Sequence, residues 1–386
     1  MNNRPLILRG NIIVKNQNDY IIGRIIKNKN VEEKNKYIQI LENENIELFE
    51  EGYLGYIFQD KPKNINLENI NYCYQVKDYE TLIDFDVVEI INKKNIRVLY
   101  RDDSDDNVIM VTNQCNSNCI MCPDPDVIRN TKENPDIRKL IEQVRCIPED
   151  TKHITITGGE PGILKENLIV LLNECKENLQ NTEFLLLSNG RVFADEKFTT
   201  KLKKKLPNQI RIAIPIYADN EELHDQITRA KGSFRQTITG IRRLIDKKID
   251  VEIRIVVLKK NYQNLEKIAK FIVKKLPEVK IVNIMALEMT GNAHKNKKEI
   301  WINFENVKEY IYKASIILIK AGITTNLYNF PLCSLDERLY SIARKSITDY
   351  KVRYKEECNQ CIAKEKCGGF FNSTINEKDI QIKPII

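Results

Sequence analysis

Two patterns of apolar and polar residues alternate along the chain from about Val108 onward. Short β-rich runs are typical of strands, and longer segments with an apolar residue every three or four positions are typical of helices. The predicted strands are Val108–Thr112, His153–Thr157, Phe184–Ser188, Ile210–Tyr217, Val251–Leu258 and Lys280–Leu287. The predicted helices are Asp136–Val144, Leu164–Glu177, Glu196–Lys205, Ser233–Asp246 and Gln263–Lys275. The alternation predicts βαβ units, a parallel sheet and an α/β fold, as a partial barrel or an open sheet.

The two ends of the chain have different patterns. Short alternating runs before residue 100, such as Tyr20–Ile26 and Val87–Ile91, predict a small β-rich or α+β domain. Beyond residue 300, Asn303 and Gly322 are a plausible N-cap and C′ residue of one long helix. We predict an N-terminal domain over 1–103, a core over 104–300 and a C-terminal extension over 301–386.

Charge and hydropathy exclude several classes of protein. Lys and Arg number 61 against 54 Asp and Glu, for a formal net charge of +7. No aromatic-rich RNA-binding signature accompanies the lysines, so we interpret them as a solvated surface and do not expect a nucleic-acid partner. No apolar run approaches the ~20 residues of a membrane span. The start Met1–Pro5 lacks the features of a signal peptide. We therefore predict a cytoplasmic protein with no membrane partner.

Cysteine spacing is the most informative feature. Of ten cysteines, seven fall into two groups, which are Cys115, Cys119 and Cys122, and then Cys333, Cys358, Cys361 and Cys367. Without a secretion signal, such grouping favours metal binding over disulfides. The isolated Cys73, Cys146 and Cys175 are predicted to be small buried hydrophobic residues.

The first group occupies the loop after the first predicted core strand, with C-x3-C-x2-C spacing. Three thiolates cannot complete a tetrahedral zinc site, and no histidine lies nearby. They suit an iron–sulfur cluster, and a four-iron cube held by three cysteines keeps one iron open to a small molecule. The βα loops of parallel folds form the ligand-binding face, which is where this loop begins.

This motif resembles the signature of the radical S-adenosylmethionine (SAM) superfamily. The resemblance implies a partial (β/α)6 TIM-like barrel, a 4Fe–4S cluster on Cys115, Cys119 and Cys122, and SAM chelated at the open iron. Gly158-Gly159-Glu160-Pro161, after the second predicted core strand, resembles the superfamily motif for the SAM amino group. By the same resemblance, Ser188 and Asn189 face the SAM ribose.

Arg254 and the methionines near the sixth predicted strand are open to two interpretations. Arg254 lies in an apolar strand, where the family often has an arginine for the SAM carboxylate, but a salt bridge is equally compatible. Met285 and Met289 could flank the adenine or pack in the core. His224 and His294 follow predicted strands and could reach a substrate, although structural roles are favoured.

The second cysteine group combines Cys333 with a C-x2-C-x5-C run at Cys358, Cys361 and Cys367. Four thiolates can close a zinc site or hold a complete iron–sulfur cluster, and spacing does not choose between them. The run resembles the auxiliary-cluster extensions, SPASM and Twitch, of peptide-modifying radical SAM enzymes. It departs from SPASM, which has another cysteine where this chain has Phe371 and uses seven cysteines for two clusters. We therefore predict one auxiliary 4Fe–4S cluster rather than zinc.

A narrower resemblance covers about Asp86 to Phe371. The phrases that carry it are Val111–Asn116, Ile284–Gly291, Cys367–Phe371, Asp86–Val88 and Val98–Arg101. They resemble the C-type radical SAM maturase of His-Xaa-Ser repeat peptide systems. The resemblance implies a ribosomal peptide substrate with such repeats, a companion radical SAM maturase, a small accessory protein, and a reductant such as flavodoxin or ferredoxin.

Two alternatives stay open. The first is a radical SAM enzyme that acts on a small molecule or RNA and binds zinc through its C-terminal cysteines. The second is not an enzyme but an iron–sulfur electron carrier or a zinc-stapled binding protein. Neither an electron carrier nor a zinc-stapled protein requires an open cluster iron or the Gly158–Pro161 motif.

Overall fold

The computed structural model describes residues 4–27, 29–123, 136–348, 350–377, 380 and 382–386. The prediction that the chain starts without a signal peptide falls partly on residues 1–3, which lie outside the described residues. None of the helices in the described ranges combines the length and apolar character needed to cross a bilayer.

The N-terminal strands form a closed barrel. They are β1 (Ile7–Leu8), β2 (Asn11–Ile13), β3 (Tyr20–Ile26), β4 (Tyr37–Leu41), β5 (Gly55–Phe58), β6 (Tyr72–Tyr74), β7 (Val87–Ile91) and β8 (Asn95–Tyr100). Their order is β1-β8-β7-β3-β4-β5-β6-β2. Only Arg9 and Gly10 separate β1 from β2, so the strands at the two ends of this order are continuous and the sheet closes. The β-rich prediction is confirmed, and closure removes the open edges of this sheet.

The second sheet is parallel throughout and has eight strands. They are β9 (Val108–Met110), β10 (His153–Thr157), β11 (Glu183–Leu187), β12 (Ile210–Pro215), β13 (Asp250–Val256), β14 (Ile281–Met285), β15 (Thr324–Tyr328) and β16 (Ala343–Arg344). They are hydrogen-bonded in chain order. The α/β prediction and its six strands are confirmed. Two strands, β15 and β16, extend the sheet beyond the prediction, and the predicted domain limits at 103 and 300 stay predictions.

Helices cover this sheet and connect its strands. They are α1 (Ile137–Cys146), α2 (Glu166–Asn178), α3 (Glu196–Lys205), α4 (Glu221–Thr228), α5 (Ser233–Asp246), α6 (Leu265–Lys275), α7 (Asn292–Lys295), α8 (Lys297–Ile300) and α9 (Phe304–Lys320). The predicted N-cap of α9 is confirmed, because the Asn303 side chain accepts a hydrogen bond from the Glu305 amide. Gly322 has φ +77°, as a C′ glycine requires.

The barrel packs against helix α1 of the core. The Arg24 guanidinium donates hydrogen bonds to the carbonyls of Cys146 at 2.7 Å and Ile147 at 3.0 Å, where α1 ends. Lys139 of α1 forms an ion pair with Glu89 at 2.6 Å and lies over the Tyr20 ring. These contacts fix the position of helix α1, which follows the cysteine loop in the sequence.

The ends of strands β9, β10 and β11 lie side by side. The register pairs Met110 with Thr157 and Leu186 with Ile156. In parallel α/β folds the carboxyl ends of the strands form the ligand-binding edge. The cysteine loop, Gly158–Pro161 and Ser188–Asn189 all begin at this edge.

Candidate functional site

Backbone hydrogen bonds join the Gly158–Pro161 loop to the cysteine loop. The Gly159 amide donates to the Thr112 carbonyl and the Glu160 amide to the Gln114 carbonyl, both at 2.8 Å. These bonds continue the β9–β10 pairing into the two loops. The cysteine loop therefore starts from a fixed backbone position.

The two glycines of this motif are explained by that close approach. A Cβ atom on Gly158 would lie 2.3 Å from the Thr112 carbonyl oxygen, and one on Gly159 would lie 2.2 Å from that of Gln114. Both distances are much shorter than a van der Waals contact, and the backbone cannot move aside easily, so neither position has room for a side chain. The nearest neighbours of these two positions in the structure are therefore backbone atoms of the cysteine loop. A role of Gly158 and Gly159 in binding SAM stays a prediction.

The Glu160 carboxylate is hydrogen-bonded to polar groups at the strand ends. It is 1 % exposed and accepts hydrogen bonds from the Gly162 amide at 2.8 Å, the Ser188 hydroxyl at 2.7 Å and the Asn189 amide at 2.6 Å. Burial raises the pKa of Glu160, while these three donors oppose the rise. A carboxylate has about four acceptor positions, so one remains for a further donor. Pro161 begins the short 3₁₀ turn Pro161–Leu164 that follows.

Asn189 and Arg191 connect this network to the cysteine loop. The Asn189 amide side chain donates to Oδ1 of Asn116 at 2.7 Å. The Arg191 guanidinium donates to the Asn116 carbonyl at 2.6 Å and the Ser117 hydroxyl at 3.0 Å. The structure thus brings together the predicted Glu160, Ser188 and Asn189. Sequence reasoning missed Arg191, because its partners lie more than seventy residues away.

Tyr217 is a second residue that sequence reasoning missed. It follows β12 and is 8 % exposed. Burial raises its pKa well above the usual range, and Cys119, Cys122 and Cys115 raise it further. All three thiols therefore lie near one tyrosine, which agrees with their assignment to a single site. A single tyrosine after an apolar strand does not indicate, from the sequence alone, that it lies near the cysteine loop.

Arg254 does not join this network. Its guanidinium forms an ion pair with Glu252 at 2.7 Å, which is the salt-bridge alternative of the sequence analysis. The register places Arg254 in one row with Asn283 and Asn326, and Asn326 donates to Asn283 at 2.9 Å. Polar side chains therefore line this face of the sheet. A role for Arg254 toward the SAM carboxylate stays a prediction.

The segment after β14 also contacts the cysteine loop. Asn292 is 1 % exposed, and its side chain donates to Oδ1 of Asn118 at 2.8 Å and to the Cys119 carbonyl at 3.1 Å. Asn296 donates to the Ile120 carbonyl at 2.8 Å. Neither asparagine was singled out from the sequence. Met289, which the sequence did single out, is buried, as its packing in the core predicts.

The four C-terminal cysteines line one cavity. Cys333, Cys358, Cys361 and Cys367 share a small cavity, partly open to solvent, with Tyr354 and Phe370 among its other walls. Burial, together with the three neighbouring thiols, raises the pKa of Cys333 to about 11. The predicted second group therefore comes together in space.

Backbone amides donate to the sulfur atoms of this second group. Leu332 and Gly369 donate to Sγ of Cys367 at 3.3 and 3.4 Å, and Ile385 donates to Sγ of Cys361 at 3.4 Å. Such bonds stabilise thiolates and tune iron–sulfur clusters. The donor set and the cavity therefore fit a cluster, and four sulfurs remain chemically compatible with zinc.

The side chains of the described residues do not form a site for a single metal ion. In the described part of the chain, no three His, Cys, Asp or Glu side chains surround one point where a single ion would sit. In a four-iron cube each cysteine binds a different iron, so a cluster does not require that arrangement.

The isolated cysteines and His224 lie in buried or half-buried settings, whereas the structural role favoured for His294 stays a prediction. Cys73 and Cys175 are fully buried, and burial raises the pKa of Cys175 to about 12. Cys146 is half-buried and its thiol points to the Ile22 carbonyl. His224 is 2 % exposed and hydrogen-bonded to Ser233 at 3.1 Å. His294 is exposed.

A family comparison supports the cluster interpretation. Residues 109–272 match the model of the radical SAM superfamily. The matched part begins within β9 and extends past β13. It contains the three cysteines of the first group, Gly158–Pro161, Ser188, Asn189 and Arg254. The predicted radical SAM fold is confirmed for this part, and the cofactors of that family are a 4Fe–4S cluster and SAM.

Known proteins resemble the chain over part of its length. It is 28% identical over 36% of its residues to the GTP 3′,8-cyclase of Desulforamulus reducens, covering 42% of that protein. It is 25% identical over 40% of its residues to the sporulation killing factor maturation protein SkfB of Bacillus subtilis, covering 36% of it. The curated relatives that it matches are covered over about a third to three fifths of their length. The structure of Streptococcus suis SuiB with its precursor peptide SuiA aligns at 15% identity and a TM-score of 0.47, over 57% of this chain and 47% of SuiB.

Proposed function

We propose that this chain, which carries a radical SAM superfamily domain over residues 109–272, is a radical SAM enzyme that modifies a ribosomally made peptide. The observation that carries the proposal is the junction of three strand ends. The cysteine loop, Gly158–Pro161 and Ser188–Asn189 are connected by hydrogen bonds at the ligand-binding edge of a parallel sheet. An iron–sulfur electron carrier does not require Gly158–Pro161 or Ser188–Asn189, so their presence beside the cysteine loop favours an enzyme.

The proposed cluster ligands are Cys115, Cys119 and Cys122. When bound, the reduced cluster supplies the electron that cleaves SAM and releases a 5′-deoxyadenosyl radical. Glu160 has one acceptor position left after its three protein donors, which suits the SAM ammonium group. Ser188 and Asn189 are proposed to face the ribose, and Arg254 the carboxylate.

Cys333, Cys358, Cys361 and Cys367 are proposed to hold an auxiliary 4Fe–4S cluster. The proposal is supported by the shared cavity and by the backbone amides that donate to two of the sulfurs. A fully ligated cluster has no open iron, so electron transfer is its proposed task. The proposed location of the protein is the cytoplasm, where cysteines stay reduced.

The proposed substrate is a peptide with His-Xaa-Ser repeats, processed with a companion radical SAM maturase, a small accessory protein and a flavodoxin or ferredoxin as reductant. The motif phrases from Asp86 to Phe371 support this assignment. The similarity to SkfB, a sporulation killing factor maturation protein, supports the broader class of peptide substrates. The 5′-deoxyadenosyl radical would take a hydrogen atom from a C–H bond of the peptide and become 5′-deoxyadenosine. The carbon radical left on the peptide would be trapped, or would lose one electron to the proposed auxiliary cluster and a proton to solvent.

Mass spectrometry of a synthetic repeat peptide tests the substrate. The reconstituted enzyme is incubated anaerobically with SAM, dithionite and the peptide, and in parallel with a peptide whose repeat His and Ser residues are alanine. The expected result is a loss of hydrogen from the repeat peptide alone. Cys115→Ala should abolish the change. An unmodified repeat peptide in a reaction that forms 5′-deoxyadenosine would contradict the peptide assignment.

A small-molecule substrate is the second candidate, since one relative is a GTP 3′,8-cyclase. The same incubation with GTP or with RNA in place of the peptide separates the candidates. Consumption of GTP that depends on Cys115 would favour the second candidate. Metal analysis then decides whether zinc occupies the C-terminal site.

A further inference from the structure

The residues after strand β14 hold the backbone of the cysteine loop at several points. The Asn292 amide donates to the Cys122 carbonyl at 2.8 Å, and its side chain donates to the Cys119 carbonyl at 3.1 Å. The Asn296 side chain donates to the Ile120 carbonyl at 2.8 Å. Three carbonyls of the loop are thus bound by one short segment, residues 291–296.

The backbone fit at this contact leaves no room for a side chain. A Cβ atom on Gly291 would lie 2.2 Å from the Pro123 carbonyl oxygen and 2.7 Å from that of Cys122. Gly291 also has φ +55°, a conformation that favours glycine. The segment therefore packs directly on the backbone of the cysteine loop.

The segment 291–296 is itself anchored on other sides. The Met289 amide donates to the Thr374 hydroxyl at 3.2 Å, and Lys297 forms an ion pair with Glu377. Arg229 donates to Oδ1 of Asn296 at 3.0 Å. These bonds tie the segment to the C-terminal extension and to the end of α4, so it can act as a rigid support.

A loop outside regular secondary structure has carbonyls that need donors from elsewhere. Here the donors bind the carbonyls of two cysteines whose sulfurs are the proposed cluster ligands. Groups that orient metal ligands from outside the coordination sphere affect metal affinity strongly. We propose that Asn292, assisted by Asn296, is a positioning residue whose side chain holds Cys119, and with it the cysteine loop, in cluster-binding geometry. This inference rests on the proposed function for the identity of the cluster.

The test compares Asn292→Ala and Asn296→Ala with Asn107→Ala. Asn107 is a matched control, because its side chain is buried and donates two hydrogen bonds, to the carbonyls of Arg101 and Ser104, both at 2.8 Å. It makes no bond to the cysteine loop. Circular dichroism first checks that each variant is folded.

Two measurements read out the position of the loop. Hydrogen exchange of a peptide covering residues 113–123 is measured in the metal-free and reconstituted protein. The rate of cluster loss is then measured in the presence of a chelator, as the decay of the EPR signal of the reduced cluster. The signal followed is the one that changes when SAM is added, so that it reports on the cluster of the first cysteine group. Asn292→Ala should speed loop exchange and accelerate cluster loss by about tenfold to a hundredfold, and Asn107→Ala should do neither. Asn296→Ala should act in the same direction with a smaller effect.

Equal loop exchange and equal cluster loss in Asn292→Ala and Asn107→Ala would overturn the proposal. If Asn292→Ala does not fold, Asn296→Ala decides, and its agreement with the control would overturn the proposal. A wild-type protein that binds no cluster or leaves SAM intact would refute the proposed function instead. The hydrogen-exchange comparison of the metal-free variants does not depend on that outcome.

Discussion

The Ser188 hydroxyl donates a hydrogen bond to Oε1 of Glu160 across 2.7 Å and so links the ends of strands β11 and β10. Both side chains are buried. The bond joins two elements that the sequence places in separate βα loops, and it belongs to the network that reaches the cysteine loop through Asn189.

Replacing Glu160 tests this network. Glu160→Gln removes one acceptor oxygen and places an amide group among three donors, so we expect a loss of about 1–3 kcal/mol of unfolding free energy and weaker SAM binding. Ser188→Ala removes one donor and should cost about 1 kcal/mol. Urea unfolding and titration calorimetry measure both effects. Wild-type stability and SAM affinity in Glu160→Gln would show that the network is dispensable.

Replacing Gly291 tests its contact with the cysteine loop, and Gly322, which makes no such contact, serves as the matched control. Both have positive φ, but a Cβ on Gly322 would meet no atom within 4 Å. Gly322→Ala should therefore cost only the ~1–2 kcal/mol of left-handed strain. Gly291→Ala adds a backbone clash and should also lower the iron bound per chain. Iron analysis and thermal unfolding of the two variants provide the comparison, and equal iron content in both would contradict the role of this contact.

His224 predicts a pH dependence of stability. Burial lowers the pKa of its imidazole to about 4, whereas the unfolded chain should titrate near pH 6.5. Between these values the unfolded chain binds a proton that the folded protein does not, so stability falls as the pH drops from about 6.5 to 4, by up to about 3 kcal/mol.

His224→Phe should remove that part of the pH dependence, because phenylalanine fits beside Tyr217 and Phe234 without titrating. Urea unfolding between pH 4 and 7 measures the profiles. A wild-type slope in His224→Phe would assign the dependence to other groups.

Cys361→Ser tests the C-terminal site. The variant should lose the iron of one cluster and keep the EPR signal that responds to SAM, because the two cysteine groups are separate. Elemental analysis gives iron and zinc per chain, with Cys175→Ser as a control at a buried cysteine outside both groups. Loss of zinc rather than iron would identify the site as a zinc site.

The sequence predicted the parts of the fold that depend on local pattern. The strands His153–Thr157 and Tyr20–Ile26 and the helix Ser233–Asp246 have the predicted bounds, because each has a clear period or a flanking cap. Strand β15, with the sequence Thr-Thr-Asn-Leu-Tyr, was missed because polar residues occupy its half-buried face. Closure of the N-terminal barrel was also missed, since pairing between β2 and β6 is set by tertiary contacts.

The same distinction applies to the site. Motifs such as Gly158–Pro161 are local and could be found from spacing. Asn292 reaches Cys119 across 173 positions of sequence, and Tyr217 lies near enough to the three cysteines for them to raise its pKa. Neither residue type is unusual in its local setting, so only the fold reveals what these residues contact.

Cleavage of SAM is the most direct test of the proposed function. The reconstituted chain is incubated anaerobically with SAM and dithionite, and 5′-deoxyadenosine is quantified by liquid chromatography and mass spectrometry. The wild-type protein should form it, and Cys119→Ala, with one proposed iron ligand removed, should not. No 5′-deoxyadenosine from a wild-type protein that holds its cluster, or equal amounts from Cys119→Ala, would contradict the assignment of this loop as the SAM-cleaving site.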